Sequence, residues 1–402
     1  MSTVSDNTKI AVATGTRADY GLLYWLLKAL EKSQHFDLRL MVTGMHLDAR
    51  FGSTISEIEK DGFHVNESIP CLVDSNDDAS MAKATATALV GFTDALTRLR
   101  PDYLVILGDR FEMLGAAQAA MFLGIPIVHI HGGEITEGAV DDSIRHAITK
   151  MAHFHLVTTR QHFQRVVQLG EQPDRVFLTG APGLESLQHE QLQDSEDLLR
   201  SLGLSSDLDY CLVTFHAETN IEDSKGVLPI LSALKKFPQI QCVFTAANAD
   251  SGGSEINRLL AQACESCSSW IFVESLGRLR YLSLMADCVA VIGNSSSGII
   301  EVPSFGVPTI NVGDRQQGRE ACDSVIHCAN DETRLSEAIG RVTGQSSVRQ
   351  TISNPYGDGN FSAKAMAALE SIANQRARPC RRGKTFYDIT LDHSVIALGD
   401  NQ

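Results

Sequence analysis

The feature that most restricts this chain is a recurring unit: a short valine, isoleucine and leucine run, a polar or glycine-bearing turn, then a helical segment. Its clearest instance begins at Tyr103–Leu107, which enters the turn Gly108-Asp109-Arg110 and a helical run from Met113 to Phe122. Pro126–Ile130 follows and enters His131-Gly132-Gly133-Glu134. Continuous apolar strands alternating with helices predict a parallel sheet buried on both faces. Ligands bind such sheets beyond the carboxyl ends of the strands, where both turns fall. Asp141 and Asp142 then open a helix, Ser143–Lys150. Asp109, Glu134 and one of these two aspartates are therefore expected in one crevice. Crowded, buried carboxylates have separated pKa values, as acid and base roles require. The structural alternatives are a helix cap at Asp141 or Asp142 and an Asp109–Arg110 ion pair. Three acidic positions at strand ends, beside glycines that admit a ligand to the backbone, favour a site.

The unit repeats along the chain. Lys9–Thr14 leads into Gly15–Gly21 and a helical run Leu22–Leu30. The spacing is not the G-x-G-x-x-G of a dinucleotide site. Arg17 there suits phosphate, since a guanidinium forks onto two oxygens, or it pairs with Asp19. Leu38–Thr43 ends at His46, either a ligand contact or a packed histidine. Asp74–Asp78 reads as a solvated loop without calcium-loop spacing, and Ala79–Leu99 as a helix. After His155–Thr158 and Arg175–Leu178, the polar stretch Gln188–Asp197 reads as helical and marks the passage between domains. A second series follows: Tyr210–Phe215 into His216, Gln241–Thr245 into a turn holding Asn248, Trp270–Val273 into Glu274 and Ser275, Cys288–Ile292 into Gly293–Gly298, and Pro308–Val312 into Gly313-Asp314-Arg315. Gly293–Gly298 is the strongest phosphate cradle, with small residues, the Ser295 and Ser296 hydroxyls and a helix start. Glu301 is placed to accept a ribose diol, and Arg315 to add positive charge. A serine cap would explain one of the serines, but three with flanking glycines exceed that need.

At 402 residues the chain exceeds one core, so two domains are expected. A net charge of −15 argues against nonspecific nucleic-acid binding, though it leaves room for a locally basic pocket. The polar start has no leader-like apolar region and no run spans a bilayer, so no membrane partner and a cytoplasmic location are expected. The nine cysteines are scattered, several in apolar strands, as reduced thiols would be. Cys264 and Cys267 form a lone C-x-x-C without a second pair, so no metal site is read and no cofactor is implied.

Together, Gly15–Tyr20, Gly108–Phe111, His131–Glu134, Asp141–His146, Gly293–Ser296 with Glu301, and Gly313–Arg315 resemble the hydrolysing UDP-N-acetylglucosamine 2-epimerases of sialic-acid and related nonulosonate biosynthesis. Arg17-Ala18-Asp19 stands where non-hydrolysing relatives usually carry Arg-Pro-Glu, which puts the resemblance on the hydrolysing side. It implies an α/β GT-B architecture, two Rossmann-like doubly wound parallel-sheet domains with a cleft between them. The expected domains are 1–187, joined by the C-terminal segment 375–402, and 188–374, with a helix within Ala363–Ala377 crossing back to the first. Asp109, Glu134, Asp141 and His216 would be the catalytic set. Arg17, Asp19, His46, Arg110, Asp142, Arg145, Asn248, Ser275, Ser295, Ser296, Glu301 and Arg315 would bind substrate or nucleotide. His216-Ala-Glu departs from the His-Pro many members carry, so the pocket around the histidine differs.

The C2 proton of an N-acetylhexosamine is not acidic, so the implied route is elimination of UDP to a 2-acetamidoglucal, then return of a proton and addition of water to give N-acetylmannosamine. The base and acid are not assigned individually. The alternative is the same chemistry on UDP- or GDP-linked N,N'-diacetylbacillosamine. A non-hydrolysing epimerase, a GT-B glycosyltransferase and a nucleotide-sugar binder without catalysis rank lower. The expected partners are the UDP-sugar, UDP and other copies of the chain, as a homodimer or homotetramer.

Overall fold

The computed structural model describes residues 7–73, 78–136, 140–216, 226–247, 253–344, 352–374 and 384–390. The chain divides into two compact units. The first takes in Met1–Glu134, Asp141–Gly180 and Ser362–Gln402; the second takes in Ile135–Val140 and Ala181–Phe361.

The first unit is built on β1 (Thr8–Thr14), β2 (Phe36–Thr43), β3 (Val65–Ile69), β4 (Tyr103–Leu107), β5 (Ile127–Ile130), β6 (Phe154–Val157) and β7 (Val176–Leu178). They form one sheet in the order β3-β2-β1-β4-β5-β6-β7, and every pair is parallel. All five residues of β4 are buried, as its unbroken apolar run predicts. Helices Asp78–Leu99 and Phe111–Leu123 cover one face, and their small Ala88, Ala95, Ala116 and Ala120 let them approach closely over Leu104 and Ile106.

The second unit holds β8 (Tyr210–Thr214), β9 (Gln241–Thr245), β10 (Trp270–Val273), β11 (Ala290–Gly293), β12 (Thr309–Val312) and β13 (Val325–Cys328), all parallel, in the order β10-β9-β8-β11-β12-β13. Both sheets are wound outward in two directions from their middle. In the first the reversal lies between β1 and β4, where Ile10 stands beside Tyr103. In the second it lies between β8 and β11, where Thr214 stands beside Gly293. Loops leaving adjacent strands at such a reversal turn to opposite faces and leave a crevice.

Two strands escape the sequence reading, β3 and β13. Both are edge strands with mixed polar content, Val65-Asn-Glu-Ser-Ile69 and Val325-Ile-His-Cys328, so the buried apolar signal is lost. The stretch Gln188–Asp197 is corrected: Ser186–His189 and Ser195–Ser201 are separate short helices, the second capped by Asp194, whose carboxylate accepts from the Glu196 and Asp197 amides. The exchanges between units fall at Gly180 and Phe361 rather than at 187 and 374. Helix Phe361–Asn374 carries the chain back, and the Tyr103 hydroxyl donates to the Ile372 carbonyl.

Segment 384–390 lies against the first unit. Lys384 Nζ reaches the carbonyls of Ala152 (2.6 Å) and Thr149 (3.3 Å), at the end of helix Val140–Met151, and the Glu171 carboxylate at 2.5 Å. The Tyr387 amide donates to the Gly170 carbonyl. This braces the helix that carries Asp141, Asp142 and Arg145.

Candidate active site

At the reversal of the first sheet, the loops after β1 and β4 meet through charge. Thr16 caps helix Arg17–Lys32 by accepting from the Asp19 amide. Arg110 Nε donates to Glu112 Oε1 at 2.8 Å, and Glu112 is fully buried. That carboxylate lies beneath two glycines: a Cβ would come within 2.9 Å of Glu112 Oε1 at Gly15 and 2.7 Å at Gly44. Any larger residue there would expel it. Asp19 keeps Oδ2 out of water without a hydrogen-bond partner. Burial raises its carboxyl to about 6, with Arg110 opposing and the Glu112 charge adding.

The pairing differs from the sequence-based alternatives. Asp109 joins Arg145, which is 4% exposed, and not Arg110. Arg17 is largely exposed and pairs with Glu57 at 3.2 Å, and not with Asp19. Asp141 and Asp142 both lie in the first turn of helix Val140–Met151. Asp142 stands 3.4 Å from His146 Nε2 and 3.7 Å from Arg145 Nη1, whereas the charge of Asp141 acts on Arg110. This separates two aspartates that spacing leaves equivalent: the charge of Asp141 is felt at Arg110, and that of Asp142 at Arg145, His146 and Arg165. Glu134 is 7% exposed and accepts from the Thr158 hydroxyl at 3.1 Å.

His46 is fully buried, with Nε2 3.1 Å from Thr14 Oγ1 and Nδ1 2.7 Å from Thr54 Oγ1. Burial lowers it to about 4, so it is neutral at physiological pH. Both ring nitrogens serve the loops, which makes it a support of the β1 and β2 ends.

In the second unit the reversal is held by Asn294, which is fully buried. Its side chain accepts from the His216 amide at 2.7 Å and donates to the His216 carbonyl at 2.9 Å. The Asn294 carbonyl accepts from Arg315 Nη1 at 3.1 Å and Gln316 Nε2 at 2.9 Å. One residue thus ties His216, at the end of β8, to the arginine after β12. Ser295 Oγ is 3.2 Å from Ser297 Oγ, which is 2.9 Å from the Tyr281 hydroxyl. Ser296 adopts helical angles and makes no side-chain cap bond, so the cap alternative does not describe it. The helix after it is only Ser297–Ile300, so the dipole contributes little and the turn itself is the cradle. Glu301 has Oε2 buried without a hydrogen-bond partner, and burial raises its carboxyl to about 7 against Arg319 and Arg278. An acceptor in that state suits a diol. Ser275 is exposed and accepts from the Gly277 amide. Asn248 lies outside the described residues.

Sequence reasoning passed over Glu112, Thr158, Tyr281 and the clamping role of Asn294. A polar side chain next to a quoted motif was the available signal for Glu112 and Asn294; Thr158 and Tyr281 are found only through their partners. Among the described residues no group of histidine, cysteine and acidic side chains is arranged to hold a metal ion. No helix among them is long and apolar enough to cross a membrane.

Comparison with known proteins bears on this arrangement. The family profile described as UDP-N-acetylglucosamine 2-epimerase matches residues 28–370. The chain is 38% identical over 367 residues to the UDP-N,N'-diacetylbacillosamine 2-epimerase (hydrolyzing) of Legionella pneumophila, covering 90% of this chain and 96% of that protein. It is 40% identical over 321 residues to the GDP/UDP-N,N'-diacetylbacillosamine 2-epimerase (hydrolyzing) of Campylobacter jejuni, covering 79% and 83%. Among solved structures, a Listeria monocytogenes chain described as a candidate UDP-N-acetylglucosamine 2-epimerase superposes with a TM-score of 0.78 at 18% identity, covering 96% of this chain and 100% of the other. That likeness shows the fold, two Rossmann-like domains of the GT-B class.

Proposed function

Because the chain belongs to the UDP-N-acetylglucosamine 2-epimerase family, we propose that it is a hydrolysing 2-epimerase of a nucleotide-linked 2-acetamido sugar. The observation that carries this is the set of acidic side chains in the first unit: Asp109 paired with Arg145, Glu134 buried against Thr158, and Asp141 in the first turn of the helix that carries Arg145. Binding alone does not need three acidic groups so arranged.

One of these carboxylates takes the C2 proton as the C1–O bond breaks, and the bonding electrons leave with the diphosphate. The product of this step is a 2-acetamidoglucal. A second carboxyl returns a proton to the opposite face of C2 and recovers one from the water whose hydroxide adds at C1, which releases the epimerised sugar, and the first carboxyl gives its proton up to solvent. The second unit binds the nucleoside diphosphate through Ser295, Ser296, Arg315 and Glu301. Arg17, exposed at the start of its helix, and Arg315 stabilise the charge of the leaving group. His216, whose backbone Asn294 clamps on both sides, protonates or hydrogen-bonds the departing phosphate.

The two hydrolysing relatives, at 38% and 40% identity, support N,N'-diacetylbacillosamine as the sugar, giving 2,4-diacetamido-2,4,6-trideoxymannose. The family description supports UDP-N-acetylglucosamine, giving N-acetylmannosamine, as the second reading.

The test is turnover in heavy water with UDP- and GDP-linked sugars, read by NMR. One deuterium at C2 of the released sugar is expected, and its absence would remove the elimination route. Asp109→Asn and Glu134→Gln should lower turnover with much less loss of UDP binding. An equal loss of both would assign them to binding.

A further inference from the structure

Behind the Glu134 carboxylate lies a pair of side chains that the elimination chemistry leaves unused. Thr158 follows β6, and His162 stands in the first turn of helix Arg160–Gln168. The next residue, Thr159, caps that helix by accepting from the His162 amide at 3.3 Å, so one turn fixes both groups. The Thr158 hydroxyl donates to Glu134 Oε1 at 3.1 Å and lies 2.5 Å from His162 Nδ1. Glu134, Thr158 and His162 are 7%, 1% and 3% exposed.

A hydroxyl has one hydrogen. When Glu134 is ionised its carboxylate can only accept, so that hydrogen points to it and the His162 contact requires Nδ1 to carry a proton and to donate to Thr158 Oγ1. Donation therefore runs from imidazole to hydroxyl to carboxylate. A buried carboxylate that receives such a bond is favoured in its ionised form, and the bond fixes the direction of its second oxygen.

We propose that Thr158 and His162 are positioning residues that hold the Glu134 carboxylate ionised and aimed for proton transfer. The inference rests on reading Glu134 as one of the proton-transferring carboxylates. Among the described residues, other titratable groups act on it as well. His131 of its own turn stands with Nδ1 at 3.9 Å. His129 of β5 is kept neutral by burial, at about 3. Arg165, on the same helix as His162, donates to the Gly133 carbonyl and acts on Glu134 through its charge. All three side chains persist in the variants below, so the variants isolate the hydroxyl chain.

The experiment measures kcat and KM against pH for the parent, Thr158→Val, Thr158→Ser, His162→Leu and His162→Asn. Alongside it, the Glu134 carboxyl is titrated by NMR of protein carrying carbon-13 glutamate, its signal assigned with Glu134→Gln. Losing a hydrogen bond to a charged group should lower kcat about 10- to 100-fold in Thr158→Val, with KM within about twofold. The acid limb of the kcat profile and the Glu134 midpoint should both move to higher pH. Serine restores the hydroxyl, and asparagine offers an amide N–H near the Nδ1 position, so both should recover most of the loss. His162→Leu should shift the same way as Thr158→Val, and it carries the same readouts if the valine variant does not fold. An unmoved Glu134 midpoint overturns the proposal, as does an equal loss in the valine and serine variants that tracks their melting temperatures. Absence of turnover by the parent on every sugar would refute the epimerase reading, while the Glu134 titration would still decide this one.

Discussion

Glu301 makes nucleotide affinity depend on pH in a direction and size that the structure specifies. Its carboxyl stands at about 7 because burial disfavours the charge, with Arg319 and Arg278 opposing. If the ionised form accepts the ribose diol, nucleotide selects the deprotonated protein and binding releases a proton. About one molecule in eleven is ionised at pH 6 and about ten in eleven at pH 8, so UDP should bind about tenfold more tightly at the higher pH, about 1.4 kcal/mol. The diphosphate also titrates, near 6 for an ordinary phosphate monoester, and Glu301→Gln supplies the correction because it retains only that part. Titration calorimetry in buffers of different ionisation heat reads both affinity and protons released. At pH 7 the parent should release about half a proton more than the glutamine variant. The sign reverses for stability. A folded carboxyl pKa above the unfolded value destabilises the protein as pH rises from the unfolded value through about 7. Glu301→Gln should therefore melt higher than the parent at pH 8 without ligand, yet bind UDP more weakly. Identical pH curves for parent and variant would refute the reasoning.

Gly293→Ala tests the crevice of the second unit. Gly293 has φ +139° and lies in register with Thr214, and a Cβ there would sit 1.8 Å from the Thr214 carbonyl oxygen. Strain and overpacking together should cost about 2–5 kcal/mol in chemical denaturation and weaken UDP binding. Lys384→Met removes the brace on helix Val140–Met151 and should cost about 1–3 kcal/mol, since Glu171 keeps Lys150 and His155. Protease sensitivity should rise in step. The Glu171 carboxyl is opposed by burial, but His155, Lys150 and Lys384 outweigh that and bring it to about 2. Its contribution is thus present above the unfolded value, near 4.5, and is lost as pH falls toward 2. Glu171→Gln should flatten melting temperature against pH in that window, and an unchanged slope would assign acid sensitivity elsewhere.

Runs such as Tyr103–Leu107 were legible because a strand buried on both faces is apolar along its length, and no other element of that length has that need. The turns after them were legible for a related reason, since a backbone that approaches a ligand requires glycine and small polar residues there. Partnership was not legible. Neighbours in sequence suggested Asp109 with Arg110 and Arg17 with Asp19, but the fold joins Asp109 to Arg145 and Arg17 to Glu57. His46 carried the same composition signal as a ligand and proved to be tied to Thr14 and Thr54.

The linear chain determined the interior strands, that they pair in parallel, and which side chains stand at their carboxyl ends, because burial and backbone geometry act within a few residues; the polar edge strands β3 and β13 were left to the tertiary structure. Strand order alone decided that β1 lies beside β4 and β8 beside β11. That order brings Asp19 to Arg110 and Glu112, and Asn294 to His216, across separations that no local pattern encodes. Charge, desolvation and hydrogen bonding act through space, so the protonation states of Asp19 and Glu301 were set only when each sheet and its helices had assembled.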